Sequence, residues 1–270
     1  MSSDSLLTAL GSVTSFLLLI VAVYIYVALI RQISARALTS LVESPRTFGW
    51  PEAILASGLV CLLLLNVVAA FSGRSLEVNS RVLVENLLFT AAIVLLISAF
   101  LAFRGFDLNA LGGFSRMSFL RTLSTGIVLL LAAYPLIVLA EAMTRGLFGI
   151  GPDKQSIVEL FDASRTIGQR IMIIVFAVAV APLAEEFLFR LFLYGVLRRY
   201  FGQAFGIIVS ALLFAAVHNH LPSFAPLFVL GICFAIAYEW SGSILVSMTM
   251  HSLFNSLSLT VLAFPEIFRQ

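Results

Sequence analysis

Charged, imidazole and amide side chains form three groups within apolar stretches of the second half of the chain. They are Glu185 and Glu186 with Arg190, then His218, then His251 with Asn255. A charge at the centre of a membrane helix costs about 2.5 to 3.5 kcal/mol on insertion scales, so such residues usually mark a functional site. A carboxylate that takes a proton from water, a histidine that orients the water, and donors that stabilise an oxyanion together make a hydrolase. The residues supply one of each, which predicts hydrolytic chemistry.

The spacing within each group supports this interpretation. Glu186 and Arg190 lie four residues apart and can pair on one helix face, and His251 and Asn255 share a face for the same reason. Glu185 is turned about 100° from Glu186, so it can stay outside that ion pair. The sequence contains no G-x-S-x-G or H-E-x-x-H motif, which disfavours a serine hydrolase or an ordinary zinc protease.

Other polar residues in apolar stretches are predicted to be structural. Asn66 is expected to bond a neighbouring helix, and Arg190 to hold Glu186 in place. Phe214 is interpreted as packing, because the chain has 24 phenylalanines. Glu141 and Glu239 lie near the ends of predicted helices, where they can reach the membrane interface.

The amino-acid composition is that of a membrane protein. The chain has 270 residues, of which 61% are hydrophobic and 11% charged, whereas soluble domains carry about 25% charge. Continuous rather than alternating apolar runs favour helices over a barrel, so the predicted fold is an all-α, polytopic transmembrane bundle. The net charge of +2 gives no basis for nucleic-acid binding. The expected partners are the lipid bilayer and a peptide or protein substrate, and the expected location is the bacterial plasma membrane, with several passes.

Apolar runs of about 20 residues predict eight spans, with seven as the alternative count. Their predicted ranges are 6–30, 53–72, 87–103, 122–143, 171–197, 203–220, 225–240 and 243–264. Three regions are predicted: three N-terminal helices in 1–121, the hydrolytic domain in 122–264, and a short tail in 265–270. Pro182 should bend the fifth span and free the carbonyl of Val178. Rises counted from the helix ends place the site residues at overlapping depths near the middle of the membrane.

These motifs resemble those of the CAAX prenyl-endopeptidase and bacteriocin-processing family (CPBP, or Abi) of intramembrane proteases. The family pattern is a glutamate pair with an arginine four residues after the second, then F-x-x-x-H, then H-x-x-x-N or H-x-x-x-D. It reads here as Glu185-Glu186-Phe187-Leu188-Phe189-Arg190, Phe214-Ala215-Ala216-Val217-His218 and His251-Ser252-Leu253-Phe254-Asn255. The resemblance covers about residues 122–264.

The resemblance implies a membrane-embedded endopeptidase that acts on a CAAX-like or bacteriocin-type substrate. It implies that Glu185 activates water, that His218 assists, and that His251 and Asn255 stabilise the oxyanion. Glu186 and Arg190 are implied as supporting residues. If the reaction depends on zinc, Glu185, His218 and His251 are the expected ligands. We favour the metal-free form, because the sequence reveals no carboxylates that would orient ligating histidines.

Two other functions use the same residues. A proton-coupled carrier would use Glu185 and His218 as a relay at the membrane midplane. A non-catalytic scaffold would keep the three groups as contacts between helices. The carrier hypothesis predicts that Glu185→Gln abolishes proton coupling and preserves ligand binding, and the scaffold hypothesis predicts that Glu185→Ala harms folding first.

Overall fold

The computed structural model describes residues 3–39, 47–72, 80–149, 160–161, 164 and 166–263. The described residues form helices and short connections and contain no strand. The predicted tail, 265–270, lies outside them. An all-α bundle is therefore confirmed.

Nine helices are described. They are α1 (Ser3–Thr39), α2 (Trp50–Phe71), α3 (Ser80–Phe103), α4 (Leu108–Gly112), α5 (Phe119–Phe148), α6 (Ile167–Phe201), α7 (Gln203–Ala216), α8 (Phe224–Ser241) and α9 (Ile244–Ala263). A short 3₁₀ turn, Leu221–Ser223, precedes α8.

Seven of the described helices are long and apolar enough to cross a membrane, which confirms the alternative count of seven spans. The predicted span 203–220 is the one that falls short. Helix α7 has 14 residues, about 21 Å of rise against about 30 Å of hydrocarbon. It ends at Ala216, so His218 lies in the connection after the helix and not within it. Non-helical backbone at membrane depth requires burial in protein or a wet cavity.

Helix α6 is not a uniform α-helix. Two π-helical stretches, Phe176–Val180 and Phe187–Tyr194, flank the α-helical segment Ala181–Glu186. Pro182 explains the first of them, because proline has no N–H to continue the α-helical ladder. The predicted disturbance next to Pro182 is therefore present, as a change of helical register.

The second half of the chain forms the centre of the bundle. Helix α5 packs against α1, α8 and α9, while α7 packs against α8 and the second π-helical stretch of α6. The ends of α6 and α8 meet where Arg198 Nη1 donates to Glu239 Oε2 at 2.8 Å. The end of α6 also meets the start of α2, where the rings of Trp50 and Tyr200 lie 5.5 Å apart. These contacts align the helix ends at one side of the bundle, from which depths are counted below.

Candidate active site

Glu185 faces two histidines from two other parts of the chain. Its Oε2 atom lies 3.9 Å from His218 Nε2 and 3.8 Å from His251 Nε2. Both distances exceed that of a hydrogen bond, and among the described residues Glu185 Oε2 has no hydrogen-bond partner although the atom is buried. The side chains of Glu185 and His218 are 25% and 23% exposed. Two of the three side chains are therefore partly exposed, while the Glu185 oxygen that faces both histidines is itself buried.

Glu186 points away from that space and is fully buried. Its Oε1 atom lies 3.0 Å from His251 Nδ1 and 3.2 Å from Arg190 Nη1. The predicted Glu186–Arg190 pair is thus present, and Glu185 stays outside it as predicted. The sequence did not predict that Glu186 also contacts His251, since that contact joins two helices.

Arg190 is held inside the protein by aromatic rings. Its guanidinium carbon lies 4.4 Å from the centre of the Phe214 ring and 5.1 Å from that of Phe234. Its Nη2 donates to the carbonyl of Gly231 at 3.3 Å. A Cβ atom at Gly231 would lie 3.1 Å from that of Ala211, so the glycine allows α7 and α8 to approach closely.

Phe214 is a packing residue, as predicted, and it also orients both histidines. It is fully buried, and its ring meets those of His218 and His251 edge-on at 4.8 and 5.5 Å. Its carbonyl oxygen lies 2.7 Å from His218 Nδ1. Because a carbonyl only accepts, Nδ1 of His218 carries the hydrogen, and Nε2, which faces Glu185, is an acceptor in the neutral form of the ring.

Asn255 occupies an acceptor that helix α6 leaves open. Ala181 N–H bonds the carbonyl of Phe176 in the π-helical register, and Pro182 has no N–H to reach the carbonyl of Ala177. Asn255 Nδ2 donates to this carbonyl at 2.8 Å. The acceptor that Asn255 reaches is the carbonyl of Ala177, next to the predicted Val178, because the π register shifts the bonding pattern by one residue. One amide hydrogen of Asn255 is thereby used and a second remains on the same nitrogen.

The chemistry of the residues suits zinc better than their spacing does. Carboxylate and imidazole are zinc ligands, and both histidines hold an oriented Nδ1, through Glu186 and the carbonyl of Phe214. The sequence-based argument that no carboxylate orients these histidines was therefore wrong for His251. However, tetrahedral zinc ligands lie about 3.3 Å apart, and among the described residues no group of three His, Cys, Asp or Glu is arranged to hold a metal ion. The spacing does not fit, and the mechanism proposed below uses no metal.

The structure brings most of the predicted site residues into one constellation. Glu185, His218 and His251 face one another, Glu186 and Arg190 lie behind His251, and Asn255 bonds α6 one turn along α9 from His251. The third histidine, His220, lies outside it, with Nδ1 2.7 Å from Ser223 Oγ.

Comparison with known proteins relates the segment that carries these residues to a family of proteases. Residues 167–257 match the family model of type II CAAX prenyl endopeptidases that are Rce1-like. The resemblance read from the three motifs is confirmed. The matched segment begins with α6 and ends within α9, and it contains every predicted site residue.

One curated relative matches part of the chain. The membrane-embedded CAAX protease MroQ of Staphylococcus aureus is 32% identical over 96 residues, which is 33% of this chain and 39% of the relative. The chain thus aligns with about two fifths of that protein. No solved structure matches. With seven apolar helices, the chain is an integral, multi-pass membrane protein.

Proposed function

We propose that the protein is an intramembrane endopeptidase in which Glu185 activates water. The observation that supports this most directly is the buried Glu185 Oε2, which has no hydrogen-bond partner among the described residues and faces the Nε2 atoms of two histidines. Because Oε2 is buried and lies 3.9 Å from His218 Nε2, the two side chains move apart slightly when a water binds about 2.8 Å from each atom. That water donates one hydrogen to Glu185 and the other to His218, and its oxygen is left to attack a carbonyl carbon.

The reaction then proceeds by general acid–base catalysis. The water oxygen bonds to the carbonyl carbon of the peptide while Glu185 takes a proton, which produces a tetrahedral oxyanion. Glu185 passes the proton to the amide nitrogen as the C–N bond breaks. Collapse of the intermediate releases the amine and a carboxylic acid, whose remaining water proton passes to the amine, so the final products are a carboxylate and an ammonium group and Glu185 is ready for the next cycle.

His251 and Asn255 are the proposed oxyanion donors. His251 Nδ1–H faces Glu186, so Nε2 donates when the ring holds a second proton. In that state the charges of Glu185, Glu186, Arg190 and His251 sum to zero, which favours burial of the group as a whole. Asn255 contributes its second amide hydrogen, and its bond to Ala177 fixes the direction of the amide.

The substrate is proposed from the setting and from the relatives. Apolar walls and seven membrane helices suit a peptide that is itself anchored in the bilayer. The matched family and MroQ are described as CAAX proteases, so a prenylated or bacteriocin-type peptide is the first substrate class to test.

A quenched fluorescent peptide library, with some members prenylated, tests this function on purified protein in detergent. Glu185→Gln keeps the size of the side chain and removes the base, so we expect kcat to fall about 10²- to 10⁴-fold. Glu141→Gln is the matched control, because Glu141 is an exposed carboxylate on α5 that pairs with Arg145, and it should cleave like the wild type. A chelator should leave the wild-type rate unchanged.

Each result decides between stated alternatives. Wild-type cleavage by Glu185→Gln would overturn the proposed role of this carboxylate. Loss of activity in chelator with recovery in zinc would replace the metal-free mechanism by one in which Glu185, His218 and His251 bind zinc. A folded wild type that cleaves no peptide but transports protons would favour the carrier.

A further inference from the structure

Asn219, the residue after His218, has an unusual backbone conformation. Its φ is 50°, and among the described residues it is the one non-glycine residue with a positive φ. Asparagine adopts this left-handed conformation more readily than most residues. Its N–H bonds the carbonyl of Ala216, and the N–H of His218 bonds that of Ala215. The turn that ends α7 therefore lies immediately beside Glu185 and His218.

The side chain of Asn219 reaches a helix that lies outside the matched segment. Its Nδ2 donates to Asn66 Oδ1 on α2 at 3.1 Å. Asn66 lies about 24 Å of helix rise from Trp50, and Glu185 lies about 22 Å from Tyr200. Because the rings of Trp50 and Tyr200 are in contact, the two residues lie at similar depths.

Asn66 has no other evident reason to be polar. Its neighbours on α2 are apolar and exposed, with Leu65 at 62% and Val68 at 61%. An amide on such a face is costly in hydrocarbon unless it finds a partner. Its partner is Asn219, which follows His218 and has the left-handed backbone conformation.

We propose that Asn66 is a positioning residue for His218. The bond that Asn219 donates to Asn66, beside a longer one to the carbonyl of Val217, holds the left-handed turn. The turn fixes the backbone of His218, and the carbonyl of Phe214 then fixes the ring. Nε2 of His218 is thereby directed at Glu185 across the 3.9 Å space. The inference rests on the proposed function, and it gives α2 a part in a site whose reacting groups all come from residues 167–257.

Three variants test the proposal by kinetics. Asn66→Leu removes the acceptor, and Asn219→Gly removes the donor while it keeps the left-handed conformation without strain. We expect each to lower kcat about 10- to 100-fold, since small displacements of catalytic groups cost that much, with KM and the unfolding temperature in detergent unchanged. The double variant should lose no more than Asn219→Gly alone, because that single variant already removes the bond to Asn66 together with the one to the carbonyl of Val217. Leu65→Ala, at the exposed position next to Asn66 in the chain, is the matched control and should keep the wild-type kcat.

Hydrogen exchange supplies a readout that does not depend on catalysis. Asn66→Leu should speed exchange in the peptide that spans 214–223 and leave α9 unchanged. Wild-type kcat in Asn66→Leu, additive losses in the double variant, or unchanged exchange in 214–223 would each overturn the proposal. If faster exchange accompanies a wild type that cleaves no peptide, the restraint by Asn66 stands and the proposed proteolysis fails.

Discussion

Glu185 and Glu186 are neighbours in the chain with different surroundings. The Glu185 side chain is 25% exposed, whereas Glu186 is fully buried between Arg190 and His251. The Oε2 atom of each has no hydrogen-bond partner among the described residues. The same side chain therefore serves as a reactive group in one position and as a structural charge in the next. A helical turn of about 100° per residue is enough to separate the two environments.

This difference predicts opposite effects on stability. Removal of one partner of a buried ion pair leaves an uncompensated charge and costs about 3 to 5 kcal/mol, so Arg190→Met should markedly lower the free energy of unfolding. Glu185→Gln should leave that free energy nearly unchanged while it removes activity. Denaturant titration in mixed micelles, followed by circular dichroism, measures the free energy of unfolding of both variants.

A double variant provides the control at this pair. In Glu186→Gln/Arg190→Met no buried charge lacks its partner, so most of the lost stability should return, whereas activity should not, because His251 has lost its carboxylate. If the double variant is as unstable as Arg190→Met alone, the pair does not act through charge compensation.

At the scale of the element, the register of α6 decides where Asn255 bonds. The π-helical stretch and Pro182 together leave the carbonyl of Ala177 without a helical donor, and α9 supplies one through Asn255. A helix defect that costs stability by itself is thus used to join two helices beside the site.

The substitution Pro182→Ala tests this use of the proline. It restores an N–H that can bond the carbonyl of Ala177 or Val178, so the α6 ladder should close and Asn255 should lose its partner. We expect an unchanged or higher unfolding temperature together with a fall in kcat of about tenfold. Complete loss of an oxyanion donor costs more, about 10²- to 10³-fold, but in Pro182→Ala the amide of Asn255 is still present and loses only its orientation. Asn255→Ala removes the donor itself, so it should lower kcat about 10²- to 10³-fold without the gain in stability. Equal kcat in Pro182→Ala and wild type would contradict the coupling.

The sequence predicted helices and their chemistry better than it predicted their ends and junctions. Long apolar runs located every long helix, and Glu186–Arg190 followed from spacing within one helix. The end of α7 at Ala216 was missed because it depends on a left-handed Asn219, which hydropathy does not register. Asn66 was expected to bond a neighbouring helix, but its partner, Asn219, lies in the connection after α7 and is placed there by tertiary packing, which a pattern within one helix cannot reveal.

At the scale of the whole molecule, the first three helices contact the second half of the chain separately. Helix α1 packs on α5 and α8, α2 packs on α7 and the end of α6, and α3 packs on the segment of α6 that carries the glutamates. Tyr26 of α1 donates to the carbonyl of Leu129 at 2.9 Å, and Phe48 packs edge-on against Phe192. Each of the three therefore covers a different part of the region that carries the chemistry.

This arrangement predicts that the domain boundary at 121/122 does not separate two independent units. A chain of residues 122–270 lacks Tyr26, Phe48 and Asn66, so it exposes the buried faces of α5 and α8 and leaves Asn219 without its partner. We expect this chain to aggregate in detergent or to unfold at a lower temperature, without peptidase activity.

Co-expression with residues 1–121 as a separate chain should restore a monodisperse complex and measurable cleavage, because the interhelical contacts need no covalent link. Size-exclusion chromatography and the peptide assay on both preparations decide the matter. An active, monodisperse 122–270 chain would mean that the N-terminal helices are dispensable for catalysis, and it would contradict the role of Asn66 at the same time.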